Sequence, residues 1–249
     1  MPEATPGWVW AEELSGPGGR VILAEEDSRY VVRVCRARAG EAIALTDGRG
    51  AVARGRVDST APRVVVAIEA LERLPETRRA VLLCGPAEGP RFDWAVEKLA
   101  ELGVTSVRPV HCARARWEKV ALRADRWRRL ARAALLQSRG RFLLEVEPPA
   151  ELEATLASSD REAFGVLADS DGGSPGELMI PPAGTTVGVV GPAEGLTDQE
   201  KTSILGRGFQ SIALSASRLR TETAAVAWAA WWASAGASQS RGKATTSKS

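Results

Sequence analysis

The chain has one histidine, one tyrosine and three cysteines in 249 residues. The single histidine, His111, leaves no basis for a Ser-His-Asp set. Between Val110 and Cys112 it reads more readily as a strand residue than as a base. No Cys-x-x-Cys pair is present, so no zinc-ligand spacing exists and no metal is expected. Cys35 and Cys84 sit in apolar runs and read as small buried hydrophobes rather than as halves of a disulfide. No apolar run approaches about 18 residues, which argues against a membrane span. No secretory leader is evident, so a reducing, cytoplasmic setting is expected. The glycine patterns of dinucleotide and nucleoside triphosphate sites are also missing.

The net charge of +2 conceals two opposed blocks. Residues 108–141 carry ten Arg and one Lys against Glu118 and Asp125. Residues 145–177 carry nine acids against Arg161 alone. The expectation is one face for a polyanion and another that avoids it, the alternative being ordinary solvated helix faces.

Up to about residue 74 the chain reads as short β-prone runs: Val21–Ala24, Tyr30–Cys35, Glu41–Thr46, Ala51–Val57 and Arg63–Ala70. Turn signals at Ala39-Gly40 and Asp47-Gly48 separate them at the spacing of a small barrel. Leu71 to Arg79 reads as a linker. Strand and helix patterns then alternate, which predicts an α/β domain with a mostly parallel sheet over 75–233. Its strands are expected at Ala80–Cys84, Val104–Val110, Phe164–Ala168, Thr186–Val190 and Ile212–Leu214. Its helices are expected at Phe92–Leu102, Ala121–Leu136, from a Thr197/Glu200 capping box to Leu205, and at Glu222–Ala233. Trp228, Trp231 and Trp232 fall at helical spacing and read as core or as a subunit contact. Residues 234–249 are small and polar and read as a disordered tail.

Two turns carry the chemical signal. The strand ending at Val190 runs into Gly191-Pro192 and Gly195 before the capped helix. The strand at 212–214 runs through Ser215–Ser217 to Arg220, Thr221 and Glu222. Ligands of α/β sheets bind beyond the carboxyl ends of strands, beside turns of this kind. A third segment, Arg91 to Val104, reads as a helix whose Lys98 can pair with Glu97 or Glu101.

The ordered set Arg91, Glu97-Lys98, Glu101-Leu-Gly-Val104, Pro109, Gln137-Ser138, Gly191-Pro192, Gly195-Leu196 and Leu219-Arg-Thr-Glu-Thr-Ala224 resembles the ribosomal RNA small subunit methyltransferase E family of SPOUT methyltransferases. Val34-Cys-Arg36, Gly40 and Asp47-Gly48 are similar to that family's first domain. The resemblance implies a PUA-like β-barrel over 1–74, an α/β domain with a deep trefoil knot over 75–233, and a homodimer. It implies methyl transfer from S-adenosylmethionine to N3 of a uracil in small-subunit ribosomal RNA. The cofactor is expected at Leu167, Ala168, Gly191, Pro192, Glu194, Gly195, Leu214, Ser215 and Leu219. Arg220, Glu222 and Arg114 are the candidate catalytic residues, with Glu101 as a further acid. RNA contacts are expected at Arg33, Arg36, Arg91, Lys98, Arg116, Gln137 and Arg139, with Arg36 and Arg38 sharing a strand face.

The chain departs from the family pattern at Ala193-Glu194, at Ser215–Ser217 and at Arg139-Gly140. If the glycine replaced by Glu194 needs positive φ, that loop is strained. Alternatives remain at this point: a related methyltransferase acting on another RNA site, a small molecule or a peptide, or a non-catalytic RNA-binding scaffold.

Overall fold

The computed structural model describes residues 8–118 and 123–245. The chain divides into two compact units, Met1–Glu76 with Ala133–Leu143, and Thr77–Arg132 with Leu144–Ser249.

The first unit contains β1 (Trp8–Trp10), β2 (Arg20–Ile22), α1 (Glu25–Arg33), β3 (Ala42–Thr46), β4 (Ala51–Ser59) and β5 (Val65–Arg73). The sheet order is β1-β3-β4-β5-β2, antiparallel except where β1 runs beside β3. Alternating residues such as Ile43, Leu45, Val57, Val66 and Ile68 close a core beneath the sheet. This is the curled β-domain expected, with one error of type. Tyr30–Cys35 is not a strand: α1 occupies most of it and ends at Arg33. Its β-branched valines suggest a strand, yet only Val31 is buried, while Val32 and Val34 face solvent. Asp27, Ser28 and Val31 form a helical inner face, and Glu25, Glu26 and Asp27 favour the helix N-terminus. Arg36 and Arg38 therefore share no strand face, and Arg36 turns the chain at φ 54°. Cys35 is exposed, against expectation, whereas Cys84 and Cys112 are buried.

The second unit adds β6 (Arg78–Cys84), α2 (Gly89–Glu101), β7 (Ser106–His111), α3 (Ala124–Ser138), β8 (Glu145–Val146), β9 (Ala150–Glu151) and α4 (Leu152–Ser158). It continues through β10 (Phe164–Gly173), β11 (Gly184–Val190), α5 (Asp198–Leu205), β12 (Gln210–Ile212) and α6 (Thr221–Thr245). The last six residues of α3, Ala133–Ser138, are grouped with the first unit.

The second unit's sheet runs β12-β10-β11-β6-β7-β8, with every pair parallel and β9 also beside β7. Covered on both faces, its central strands are continuous apolar runs such as Val81-Leu-Leu-Cys84 and Val187-Gly-Val-Val190. Gly188 lets α6 settle on the sheet: a Cβ there would lie 2.3 Å from the Trp228 ring. Trp228 and Trp232 are buried and Trp231 partly so. Phe92, Trp117 and Trp127 meet edge to face, and Trp127 Nε1 donates to the buried Asp93 at 2.7 Å.

Helix α6 continues past Ala233 to Thr245, into the segment expected to be disordered; 246–249 lie outside the described residues. Helix α3 starts at Ala124, and Ala121 and Leu122 of the expected helix also lie outside them. No helix among the described residues is long and apolar enough to cross a membrane.

The two charge blocks meet through two ion pairs. The parallel pairing of β7 with β8 and β9 brings Arg108 to Glu147 and Arg116 to Glu151. Other cations of the basic block meet Asp93, Asp125 and Glu72. Much of the expected polyanion face is neutralised by the adjoining acids.

Candidate functional site

A cavity of about 440 Å³ opens beyond the carboxyl end of β11 and past β12, beside the middle of β10 where its pairing with β11 stops at Ala168. This is within the range of about 300–1,000 Å³ for small-molecule clefts. Three segments build its wall: 168–170, 190–196 and 214–219. Arg114, the N-terminal part of α5 and the first turn of α6 complete it.

The 191–196 loop is held through its own carbonyls. Thr221 Oγ1 donates to Gly191 O at 3.2 Å, and Arg218 donates to Ala193 O. Arg114 Nη1 donates to Glu194 O at 3.2 Å and to Leu196 O at 3.3 Å. Gly195 N–H closes a turn on Pro192 O at 2.9 Å with φ 77°. Behind the loop, a Cβ at Gly85 would come within 2.6 Å of Pro192 N. Glu194 is not among the positive-φ residues, so the strain expected there is absent; Gly195 takes that conformation.

Glu200 anchors the base of this wall. Its carboxylate accepts from Thr197 N–H at 2.7 Å and from Ala113 N–H at 2.8 Å. Burial alone would raise its pKa. The two backbone donors, the Thr197 hydroxyl and the Arg114 charge outweigh that and hold it below the usual carboxylate range.

Of the expected cofactor residues, Ala168, Gly191, Pro192, Gly195, Leu214, Ser215 and Leu219 line the cavity. Leu167 does not: it is buried in the core with Leu83, Val110 and Val189. Glu194 is exposed and contributes only its carbonyl, to Arg114. Among the candidate catalytic residues, Arg114 lines the cavity, where its guanidinium serves loop carbonyls. Arg220 is exposed, one residue before the lining Thr221. Glu222 is buried and accepts from Arg91 at 3.4 Å, and Arg91 also meets Glu88 at 3.0 Å.

Lys98 pairs with both Glu97 and Glu101, at 2.7 and 2.8 Å. Arg116 pairs with Glu151. Arg33, Gln137 and Arg139 are exposed. His111 Nδ1 accepts from Trp117 N–H at 3.1 Å, and the imidazole does not line the cavity. No cluster of metal-ligating side chains occurs among the described residues.

Sequence reasoning missed Asp169 and Lys201, while Arg218 falls inside the 214–219 segment expected at the cofactor, without a role of its own. Asp169 lines the cavity immediately after the expected strand end at Ala168, where the strand-end rule could have found it. Lys201 carries no local signal; tertiary packing brings it in.

A parallel α/β sheet with a loop-walled cavity at its strand ends, accompanied by a small curled β-domain, defines a small-molecule-binding α/β protein of two units. The chain belongs to the RNA methyltransferase domain family, whose model matches residues 74–233. A second family model, the RNA methyltransferase PUA domain, matches residues 23–69.

The chain is 30% identical to Ribosomal RNA small subunit methyltransferase E of Aquifex aeolicus over 139 residues, 54% of this chain and 59% of that protein. It is 26% identical to the protein of the same name from Synechocystis over 212 residues, 82% of this chain and 69% of that one. Among solved structures it is similar to the Neisseria gonorrhoeae ribosomal RNA small subunit methyltransferase E bound to S-adenosyl methionine. The TM-score is 0.79 and the identity 27%, over 91% of this chain and 96% of that one.

Proposed function

We propose that this chain is an S-adenosylmethionine-dependent methyltransferase of small-subunit ribosomal RNA, acting on N3 of a uridine as a homodimer. The observation that carries the reading is the cavity with its immobilised 191–196 wall, in a chain of the RNA methyltransferase family. Named relatives that methylate small-subunit RNA support the substrate class. The deep trefoil knot belongs to the same reading.

The residues present fit the cofactor. Val190, Leu196, Leu214 and Leu219 offer apolar surface for a flat base, and the small residues Gly191, Gly195 and Ser215 let backbone groups approach it. When bound, the cofactor supplies an electrophilic methyl group on a positively charged sulfonium.

The chain's own residues must do the rest. The imide N–H of uracil has to lose its proton before nitrogen can attack, and positive charge at the base stabilises the resulting anion. Arg220, exposed one residue before α6, is the residue assigned here to the base or its phosphates. Glu222, next to the lining Thr221, meets Arg91 at 3.4 Å and is assigned here to orienting it. The 191–196 loop is tied down by Arg114, Arg218 and Thr221 before any cofactor enters, which favours productive geometry.

Purified protein, S-adenosylmethionine and small ribosomal particles test the reading by nucleoside mass spectrometry. N3-methyluridine formed by wild type and lost with Arg220→Ala, while cofactor binding persists, is the expected result. No methyl transfer to ribosomal RNA, or full transfer by Arg220→Ala, would overturn the reading or the role of Arg220 respectively.

A further inference from the structure

Lys201 on α5 and Asp169 on β10 form an ion pair on the cavity wall, Nζ to Oδ2 at 2.6 Å. Asp169 is well shielded, its side chain only 12% exposed, and its other oxygen accepts from Asp171 N–H at 3.3 Å. Asp198, one turn before Lys201 on α5, lines the same wall. Desolvating two charges in this way contributes little to stability by itself, because the lost hydration offsets the attraction. Apart from Asp198, the rest of the cavity wall is uncharged or carries arginines, and Arg114 and Arg218 each donate to carbonyls of the 193–196 loop. The Asp169–Lys201 pair therefore presents adjacent unlike charges to the cavity, with spare ammonium donors and carboxylate lone pairs.

Resting on the cofactor reading above, we propose that Asp169 and Lys201 are the specificity determinants for the amino-acid end of the cofactor. Its α-carboxylate is matched by Lys201 and its α-ammonium by Asp169. A zwitterion complements a fixed ion pair charge for charge, so the pair selects a ligand carrying both groups over one carrying only the nucleoside.

Titration calorimetry with two probes tests this: S-adenosylmethionine, and 5′-methylthioadenosine, which keeps the nucleoside and lacks the amino-acid end. Lys201→Met and Asp169→Asn are each expected to weaken S-adenosylmethionine about tenfold or more while changing 5′-methylthioadenosine less than about twofold. Lys201→Arg, which keeps the charge, should restore most of the loss. Retained binding of 5′-methylthioadenosine also shows that each variant is folded. Equal losses for both probes would mean that the pair serves the nucleoside or the loop, and the proposal fails. Unchanged binding of both would sink it as well. Failure of wild type to bind either probe would instead remove the cofactor reading itself.

Discussion

Arg114, just beyond the end of β7, reaches the loop after β11: its Nη1 stands 3.3 Å from the carbonyl of Leu196 and 3.2 Å from that of Glu194. The guanidinium lines the cavity while its Nη1 serves the wall, which makes it a positioning residue. Hydrogen bonds from a charged donor contribute about 1.5–3 kcal/mol. Arg114→Ala should therefore weaken S-adenosylmethionine binding roughly tenfold to a hundredfold in calorimetry. Arg114→Lys keeps the charge and a nitrogen that can donate to both carbonyls, but on a shorter stem, and should recover only part of the loss.

Glu200 couples that wall to pH. Its carboxyl is held below the ordinary value of 4.5, so the charged form is favoured by folding. The stability it contributes is present above the unfolded-state pKa and is lost as pH falls through the lower folded-state value. Glu200→Gln removes the charge and offers an amide N–H₂ to one of the backbone donors. The expected cost near neutral pH is roughly 1–3 kcal/mol in urea denaturation. The gap between wild type and variant should shrink as pH is lowered below 4.5. A gap independent of pH would mean that the carboxylate's charge contributes nothing.

The Thr197/Glu200 capping box was legible in sequence because both partners lie within one helical turn. The same locality made α2 and its stop at Gly103 legible. Long-range relationships were not. The basic and acidic blocks look like two faces in sequence, yet β7, β8 and β9 interleave them, bringing Arg108 to Glu147 and Arg116 to Glu151. Helix α1 was missed because β-branched residues at 31, 32 and 34 outweighed the acidic first turn in a purely local reading. The cavity's turns at 191–195 and 215–219 were visible from their small residues. Lys201 was not, since nothing beside it in the chain says what it will face.

Gly85 sets how closely β6 approaches the loop after β11. Its N–H donates to Val190 O at 2.8 Å, and an added Cβ would meet Pro192 N at 2.6 Å and Gly191 C at 2.8 Å. Both obstacles are backbone, so a methyl group there must move the cavity wall. Gly85→Ala should cost about 1–3 kcal/mol of stability and also weaken cofactor binding. Gly16→Ala is the control: a Cβ at that position meets nothing within 4 Å. It should change stability by less than about 1 kcal/mol. Loss of stability without loss of binding in Gly85→Ala would show that the wall adjusts independently of the loop's ligand-facing side.

Arg91 and Glu222 join the first turns of α2 and α6 at 3.4 Å. Two roles are open to the buried carboxylate of Glu222: to hold Arg91, or to take the proton from the base directly. The geometry favours holding, because Arg91 bridges Glu222 and Glu88 and so has its orientation defined from two sides. Acting as a unit, the pair should be non-additive. Glu222→Gln and Arg91→Ala together should slow methyl transfer no more than the worse single change, with a coupling of about 1 kcal/mol in a double-mutant cycle. The dependence of kcat/KM on pH should keep its shape in Glu222→Gln and fall only in height. Loss of the limb that rises with pH in that variant would instead identify Glu222 as the proton acceptor, since removing a general base removes its ionisation from the profile.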